Sequence, residues 1–193
     1  MDNDIVDLSN LQRQILHKNS NIGESKVSSA KNTLNALNPS ISIEIHNDAI
    51  DENNIINYIK NVDLVIDGTD NFTSRYAISD ACTLLGIPWV YGAVYRFEGQ
   101  VSVFNASKKD GRGGCYRCLF PQSESKNTAQ NCTEAGVLGV APGIIGLLQA
   151  TEALKHLIGI GESLQGRLLT FDLLSMKQHE TKLLADPECL ACN

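Results

Sequence analysis

The sequence predicts an α/β fold: a Rossmann-like, doubly wound sheet with mixed parallel and antiparallel strands. Short apolar strand patterns alternate with helical patterns over residues 24–91, which is typical of a parallel sheet with crossover helices. After residue 98, polar and apolar residues alternate, which indicates antiparallel pairing. Two Cys-x-x-C pairs in the second half predict a zinc knuckle with four cysteine ligands. We expect residues 1–193 to form a single domain.

The spacing of apolar residues and the positions of helix-ending residues predict the first elements of the chain. Apolar residues at helical spacing predict a helix from about residue 24 to 37, and Asn38–Pro39 ends it. Three isoleucines between residues 41 and 45 alternate with polar residues, which predicts a half-exposed strand. A short helix is expected over residues 51–60.

An apolar strand over Val62–Asp67 is the element that points to a site. It is expected to be buried, and it leads directly into Gly68 and Asp70. Because ligands in open α/β sheets collect at the carboxyl ends of parallel strands, this is the first place to look for an active site. The alternative is a polar turn that caps the next helix, with Asp70 or Asn71 as the N-cap.

The second half contains one long apolar helix among shorter elements. That helix is expected to be buried at the centre of the fold, with Gly143 and Gly146 allowing close approach of a neighbour. The remaining elements are a helix over 71–85, strands over 89–91 and 100–104, a polar loop over 123–131, the apolar helix over 139–157, and a hairpin of strands over 168–173 and 178–184.

Composition and charge exclude several classes of protein. With 42% hydrophobic residues the chain can bury one sizeable core, so it should be globular. A net charge of −6 argues against binding nucleic acid or an anionic membrane surface. The longest apolar run, 135–148, is shorter than the ~20 residues that span a bilayer, and the first residues do not form a signal peptide. We expect a cytoplasmic protein with protein or small-molecule partners.

Four of the six cysteines form the most specific pattern. Cys115 and Cys118 form one Cys-x-x-C knuckle, and Cys189 and Cys192 form another, 70 residues further on. Four thiolates suit a closed tetrahedral Zn²⁺ site, which leaves no position for substrate and is therefore structural. The alternative is two unrelated redox or buried pairs.

The other two cysteines have different surroundings. Cys82 lies among apolar residues of a helix and is expected in the core. Cys132 lies at the end of the polar loop before the apolar helix, where its thiolate would be stabilised and could act as a nucleophile. An ordinary, partly buried cysteine is the open alternative. Surface or packing roles are expected for the histidines: His17, His46, His156 and His179.

Five motifs together resemble one family. The run Asp2–Gln14, the segments Gly23–Lys26 and Gly68–Asn71, the two knuckles, and Cys132–Val137 match in order and spacing the ThiF/MoeB family of adenylyltransferases, relatives of the ubiquitin-activating enzymes. The resemblance implies an enzyme that uses ATP and Mg²⁺ to adenylate the carboxyl-terminal glycine of a small ubiquitin-like sulfur carrier of the ThiS or MoaD type. It also implies a thiamine or molybdopterin pathway and a homodimer.

The resemblance assigns roles to single residues. Arg13 and Lys26 would hold the phosphates, Asp70 would hold Mg²⁺, and Cys132 matches a loop cysteine that in some relatives links covalently to the carrier. Asp2 would accept a hydrogen bond from the ribose hydroxyl. The same pocket would be completed by Asn10, Gln12 and Asn71.

Three family features have no counterpart in this sequence. The family places a first strand, a Gly-rich phosphate loop and a cross-subunit arginine before the position of Asp2, so we expect an amino-terminally truncated member that is inactive alone. The alternative is a non-catalytic, zinc-stapled module that binds a ubiquitin-like carrier or a partner subunit through Ser123–Asn131. An NAD-dependent Rossmann enzyme is disfavoured, because no G-x-G-x-x-G follows a strand.

Overall fold

The computed structural model describes residues 1–105, 113–121 and 136–192. They divide into two compact units, the first unit over Met1–Ile50 and the second unit beginning at Asp51. The single domain expected from the sequence stays a prediction. In the described part of the chain no helix is both long and apolar enough to cross a membrane.

The first unit contains two short 3₁₀ turns and one helix. The turns are Leu8–Asn10 and Asn19–Asn21, and helix α1 is Lys26–Leu37. Helix α1 ends at Leu37 and Asn38 is its C-cap, directly before Pro39, as predicted. Its first residue is tied to the start of the chain, because the Lys26 N–H donates to the Asp4 carbonyl at 2.9 Å.

The strand expected at 41–45 is a wrong prediction. Residues 42–50 have no regular secondary structure, and Ile41 is 48% exposed. Alternation of apolar residues selects the face that a strand would bury, but a strand forms only beside a neighbour that supplies backbone hydrogen bonds. The strands in the described residues pair with one another in the second unit.

The second unit is a mixed α/β sheet, which confirms the predicted fold class. The strands are adjacent in the order β1-β2-β3-β4-β5; β1 and β2 are parallel, and all other neighbours are antiparallel. The elements in chain order are α2 (Ile55–Ile59), β1 (Val65–Ile66), α3 (Phe72–Leu85), β2 (Trp89–Tyr95), β3 (Glu98–Phe104), α4 (Tyr116–Leu119), α5 (Ala141–Ile158), β4 (Arg167–Asp172) and β5 (Lys177–Lys182).

Strand β1 is shorter and more open than predicted. Only Val65 and Ile66 of the expected strand Val62–Asp67 are in β conformation, and Ile66 is 53% exposed. The reason is its place at the edge of the sheet, where β2 is its one neighbour among the described strands. Burial on both sides was expected because an apolar run is typical of a central parallel strand. Asp67, directly after β1, is nevertheless 1% exposed.

Helix α5 packs on the sheet through two glycines that the sequence did not single out. A Cβ atom at Gly92 of β2 would overlap the Gln149 side chain, and one at Gly99 of β3 would overlap Ile145. The expected close approach at Gly143 and Gly146 is wrong, because a Cβ at either would meet no described atom within 4 Å. The helix is buried on one face only. Its buried face contributes Ile145 and Ala153 to a core cluster that also contains Val90, Val101, Val103 and Leu164.

An aromatic cluster joins helix α4 to the sheet. Tyr116 of α4 is fully buried, and its ring centroid lies 5.3 Å from that of Trp89, 5.5 Å from that of Tyr91 and 5.4 Å from that of Tyr76. Such contacts bury large areas and favour edge-to-face geometry. Cys82 on α3 is 0% exposed, which confirms its predicted place in the core.

Candidate functional site

The loop between β1 and α3 is built around a buried carboxylate. Asp67 Oδ1 accepts hydrogen bonds from both the N–H and the hydroxyl of Thr69, each at 2.7 Å. Burial raises the pKa of Asp67 above its ordinary value, while the Thr69 hydrogen bonds and the charge of Arg75 oppose the rise. The loop leaves β1 at its carboxyl end, as predicted for a ligand site.

Arg75 of helix α3 is the cation beside this carboxylate. Its Nε lies 3.7 Å from Asp67 Oδ2, and its Nη2 donates to the Thr69 carbonyl at 2.6 Å. Its guanidinium carbon lies 5.6 Å from the centroid of the Tyr91 ring. Neither Asp67 nor Arg75 was singled out as a site residue from the sequence. A charged residue between Ser74 and the apolar run Tyr76–Ile78 is the signal that could have found Arg75.

Asp70 and Asn71, the two predicted site residues of this loop, have different surroundings. The Asn71 side chain accepts a hydrogen bond from the Ser74 N–H at 2.8 Å, so Asn71 is the N-cap of α3. The Asp70 carboxylate is exposed and makes no hydrogen bond or ion pair with another residue of the described ranges. The alternative of a helix cap is therefore confirmed for Asn71, and Asp70 keeps a carboxylate that can bind a cation.

In the first unit, Lys26 lies between two aspartates. Its Nζ is 2.7 Å from Asp4 Oδ2 and 3.9 Å from Asp2 Oδ2, and its side chain is 13% exposed. The Asp2 Oδ1 atom accepts a hydrogen bond from the Asp4 N–H at 2.9 Å. Two predicted site residues, Asp2 and Lys26, are thus brought together, with Asp4 as a neighbour that the resemblance did not single out.

The other predicted residues of the first unit lie around the Leu8–Asn10 turn. Asn10 is buried, and its Oδ1 accepts from the Asp7 N–H while Asp7 caps the same turn. Arg13 is half-buried, and its Nη1 donates to the Ser9 carbonyl at 3.1 Å. Gln12 is exposed. Asn10 therefore shapes this turn, and Arg13 and Gln12 project from the residues that follow it.

The four predicted metal ligands come together in the second unit. Their sulfur atoms all lie within 4.8 Å of one another, with Cys115 Sγ 3.8 Å from Cys118 Sγ and 3.6 Å from Cys189 Sγ. Cys192 Sγ lies 3.6 Å from Cys118 Sγ. These separations are too long for disulfides, whose sulfurs are about 2.05 Å apart. We call these four residues the cysteine cluster.

The cysteine cluster has the dimensions of a tetrahedral zinc site. With Zn–S bonds of about 2.3 Å, the sulfurs of a tetrahedron are separated by about 3.8 Å, which matches the observed distances. Burial raises the pKa of the Cys115 thiol, so a bound cation is what would hold its thiolate at neutral pH. The Asp186 N–H donates to Cys118 Sγ at 3.3 Å, a contact that favours the thiolate. The cluster fits a closed structural site.

A separate cavity of about 980 Å³ lies where the carboxyl end of α5 meets the β4–β5 hairpin. Lys155, Arg167 and Glu180 are among the residues that line it. None of the site residues predicted from the sequence lines this cavity. Cys132 and the loop Ser123–Asn131, two further predictions, lie outside the described residues.

Comparison with known proteins gives close relatives for the chain. It is 41% identical over 192 residues to the SAMP-activating enzyme E1 of Haloferax volcanii, matching 100% of this chain and 69% of that protein. It is 43% identical over 190 residues to the sulfur carrier protein adenylyltransferase of Thermus thermophilus, matching 98% of this chain and 70% of that protein. A third relative, the probable adenylyltransferase/sulfurtransferase MoeZ of Mycobacterium tuberculosis, is 43% identical, but the match spans only 48% of its length.

Solved structures agree on the fold. The chain superposes on the E. coli MccB structure with ATP with a TM-score of 0.83 at 19% identity, covering 100% of this chain and 57% of that one. At that identity the likeness concerns the fold alone. The family model described as "ThiF family" matches residues 1–191. The chain therefore belongs to the ThiF family.

Proposed function

We propose that this chain adenylates the carboxyl-terminal glycine of a small ubiquitin-like sulfur-carrier protein with ATP. Membership of the ThiF family and the names of the relatives as adenylyltransferases support the proposal. The observation that carries it is Lys26, a largely buried cation held by Asp4 and Asp2 at the first position of α1. The family resemblance gives that position to a phosphate-binding cation.

Adenylation of a carboxylate requires cations that stabilise the leaving pyrophosphate, and it requires no general base. An oxygen of the carrier's terminal carboxylate attacks the α-phosphorus of ATP, the bond from that phosphorus to the bridging oxygen breaks, and pyrophosphate leaves. The product is an acyl-adenylate. A terminal carboxylate is already ionised at neutral pH, so no general base is required. Negative charge grows on the leaving oxygen, and preorganised cations stabilise it.

Lys26 and Arg13 are proposed to supply those cations. Because Asp4 holds the Lys26 Nζ at 2.7 Å, the ammonium is positioned before any phosphate binds. Arg13 uses one nitrogen for the Ser9 carbonyl, and its other guanidinium N–H groups make no hydrogen bond to a described residue. The Asp2 carboxylate, whose side chain is 41% exposed, is proposed to accept from the ribose hydroxyl. Asn10, Gln12 and Asn71 are proposed to complete the nucleotide pocket.

Asp70 is proposed to hold Mg²⁺. An exposed carboxylate without a partner among the described residues, at the carboxyl end of a parallel strand, is a suitable oxygen donor for this ion. Mg²⁺, when bound, neutralises charge on the phosphate oxygens. Zn²⁺ is proposed for the cysteine cluster, and its closed geometry gives it a structural role there.

The finer parts of the proposal concern partners. A ThiS- or MoaD-like carrier in a thiamine or molybdopterin pathway is the proposed substrate, by analogy with the relatives named for sulfur carriers and sulfur transfer. We further propose a homodimer. We also propose a covalent link between Cys132 and the carrier: the Cys132 thiolate attacks the acyl carbon of the acyl-adenylate, a thioester forms, and AMP leaves. Mass spectrometry of the chain mixed with carrier and ATP tests the covalent link directly.

Carrier-dependent ATP–pyrophosphate exchange by the purified, zinc-loaded chain tests the adenylation. The proposal requires exchange that depends on both a carrier ending in glycine and Mg²⁺, whereas the inactive truncated member expected from the sequence would show no exchange. Lys26→Met should lower the exchange rate by about 10²-fold or more, because it removes a cation aimed at the developing charge. Lys31→Met is the matched control, since Lys31 lies on the same helix about 140° away around its axis.

Two outcomes would contradict the proposal. Equal loss of activity in Lys26→Met and Lys31→Met would show that Lys26 contributes only to the net charge or to the stability of the chain. A folded, zinc-loaded chain that binds the carrier without exchange would favour the non-catalytic module.

A further inference from the structure

Asp67 and Arg75 form a buried pair of charged side chains, which is a costly arrangement for a fold. The Asp67 side chain is 0% exposed and the Arg75 side chain 10%. Burying two charges costs several kcal/mol of desolvation each, roughly, and apolar residues of similar size are often as stable or more so. The contacts of Arg75 indicate a second role for the pair.

The geometry of Arg75 favours the loop over the ion pair. Its Nη2 donates to the Thr69 carbonyl at 2.6 Å. Its Nε lies 3.7 Å from Asp67 Oδ2, and neither the Nε nor the Oδ2 atom has a hydrogen-bond partner among the described residues. Asp80 of the same helix accepts a two-pronged pair of hydrogen bonds from Arg117 of α4, at 2.7 and 2.6 Å. Helix α3 thus takes part in one ion pair of ideal geometry. Arg75 does not form such a two-pronged pair with Asp67 and donates to the Thr69 carbonyl instead.

Thr69 is consequently held on all its polar groups. Its N–H and hydroxyl donate to Asp67 Oδ1, and its carbonyl accepts from Arg75. The Asp67 backbone is fixed in turn, because Gln149 Nε2 donates to the Asp67 carbonyl at 2.7 Å. The next residue along the chain is Asp70, whose carboxylate makes no such bond within the described ranges. The backbone that leads to Asp70 is rigidly held while its side chain stays available.

We propose that Arg75 is a positioning residue that fixes the Thr69–Asp70 peptide and thereby the Asp70 carboxylate for Mg²⁺. The inference rests on the proposed function of Asp70. A preformed ligand loses less conformational freedom when the ion binds, so the affinity of the site rises. Replacing a residue that orients a metal ligand through hydrogen bonds typically changes metal affinity or activity by about 10- to 100-fold.

Arg75→Lys tests the proposal, because lysine keeps the charge and loses the planar fork that reaches Thr69. We expect the Mg²⁺ concentration for half-maximal pyrophosphate exchange to rise about tenfold at saturating ATP. Arg117→Lys is the matched control: it also keeps the charge and removes the planar fork, but at the ion pair that joins Arg117 of α4 to Asp80 of α3. The control should lower the thermal midpoint and leave the Mg²⁺ requirement unchanged.

Two readouts do not depend on activity. Line broadening of the Thr69 and Asp70 amide signals by Mn²⁺ reports cation binding at the loop, and it should need about tenfold more Mn²⁺ in Arg75→Lys. Amide hydrogen exchange at Thr69 should be faster in that variant and unchanged in Arg117→Lys. If the wild-type chain shows no pyrophosphate exchange, the proposed function fails, and these two measurements still decide the role of Arg75.

The proposal is overturned if Arg75→Lys folds and changes neither the cation requirement nor the Thr69 amide. It is also overturned if both arginine variants shift the cation requirement equally. Should Arg75→Lys fail to fold, the double variant Asp67→Asn/Arg75→Gln replaces the ion pair by two neutral amides and leaves no uncompensated charge. The same shifts are expected from it, and their absence overturns the proposal.

Discussion

The cysteine cluster and the first unit hold their chain segments by different means. In the cluster, two knuckles far apart in sequence place four sulfur atoms within 4.8 Å. The first unit has one α-helix in residues 1–50, and side chains as apolar as Ile15 and Leu37 are 93% and 81% exposed. Its segments are joined by polar contacts such as Lys26–Asp4, His17–Ser29 and Thr33–Leu16.

The two arrangements imply different responses to mutation. A metal site acts as a unit, because removal of one ligand lowers the affinity for the ion that all four share. A set of separate hydrogen bonds responds in steps, each worth about 1 kcal/mol. We therefore expect all-or-none behaviour at the cysteine cluster and graded behaviour in the first unit.

Cys189→Ser should have the largest effect. Cys189 is 8% exposed, and its replacement leaves three thiols around a position that fits four. We expect loss of bound zinc and a fall of about 4 kcal/mol or more in the free energy of unfolding. Zinc content by elemental analysis and urea unfolding monitor the two changes.

The control for this prediction is Cys82→Ala. Cys82 is a fully buried cysteine of α3 outside the cluster, so its replacement should retain the zinc. Full zinc retention by Cys189→Ser would show that the cluster does not act as a unit.

Thr33→Val probes one polar contact of the first unit and should have a smaller effect. The Thr33 hydroxyl donates to the Leu16 carbonyl at 2.8 Å and so ties α1 to a segment 17 residues away. Valine has the same shape without the donor, so we expect a loss of about 1 kcal/mol in the free energy of unfolding. Urea unfolding measures it.

Thr151→Val is the matched control for Thr33→Val. The Thr151 hydroxyl also donates to a carbonyl at 2.8 Å, but the acceptor is Leu147, one turn earlier in the same helix. The control should be close to neutral, since it joins no separate segments. Equal effects of the two variants would mean that the first unit does not depend on such long-range polar contacts.

The same contrast explains what the sequence could predict. The four cysteines were found because Cys-x-x-C spacing is local and the chemistry of four thiolates is restrictive. Helix α3 and its cap at Asn71 were found for a similar reason: the signals are adjacent in sequence. The strand at 41–45 was wrong because its existence depends on a neighbour, which no local pattern contains.

The contacts of Arg75 lay beyond sequence reasoning for a related cause. Its partners Asp67 and Thr69 are six to eight residues away, but the side chain is directed to them by packing against Tyr91, which belongs to another strand. The sequence predicts Asp67 only as the polar end of a strand. In the structure Asp67 is buried, and Gln149 of α5 donates to its carbonyl. The resemblance names candidate site residues, whereas the contacts of Asp67, Arg75 and Gln149 are visible only in the structure.

His17 should give the smallest effect, one that depends on pH. Its Nδ1 lies 2.9 Å from Ser29 Oγ, on the face of α1 that also carries Lys26 and Thr33. Burial lowers the pKa of His17, the nearby Lys26 charge lowers it further, and Asp2 opposes the shift. The folded state therefore favours the neutral imidazole.

The sign of the pH effect follows from proton linkage. Below the ordinary imidazole pKa of about 6.5 the unfolded chain binds a proton that the folded chain binds only at lower pH. Stability from this group is fully present above pH about 6.5 and is lost as the pH falls through the lowered pKa of His17. Between pH about 7.5 and 5, the urea midpoint should fall less steeply in His17→Asn than in the wild-type chain. His179→Asn, on the exposed strand β5, is the control for the loss of one imidazole. Equal slopes for wild type and His17→Asn would mean that folding does not lower the pKa of His17.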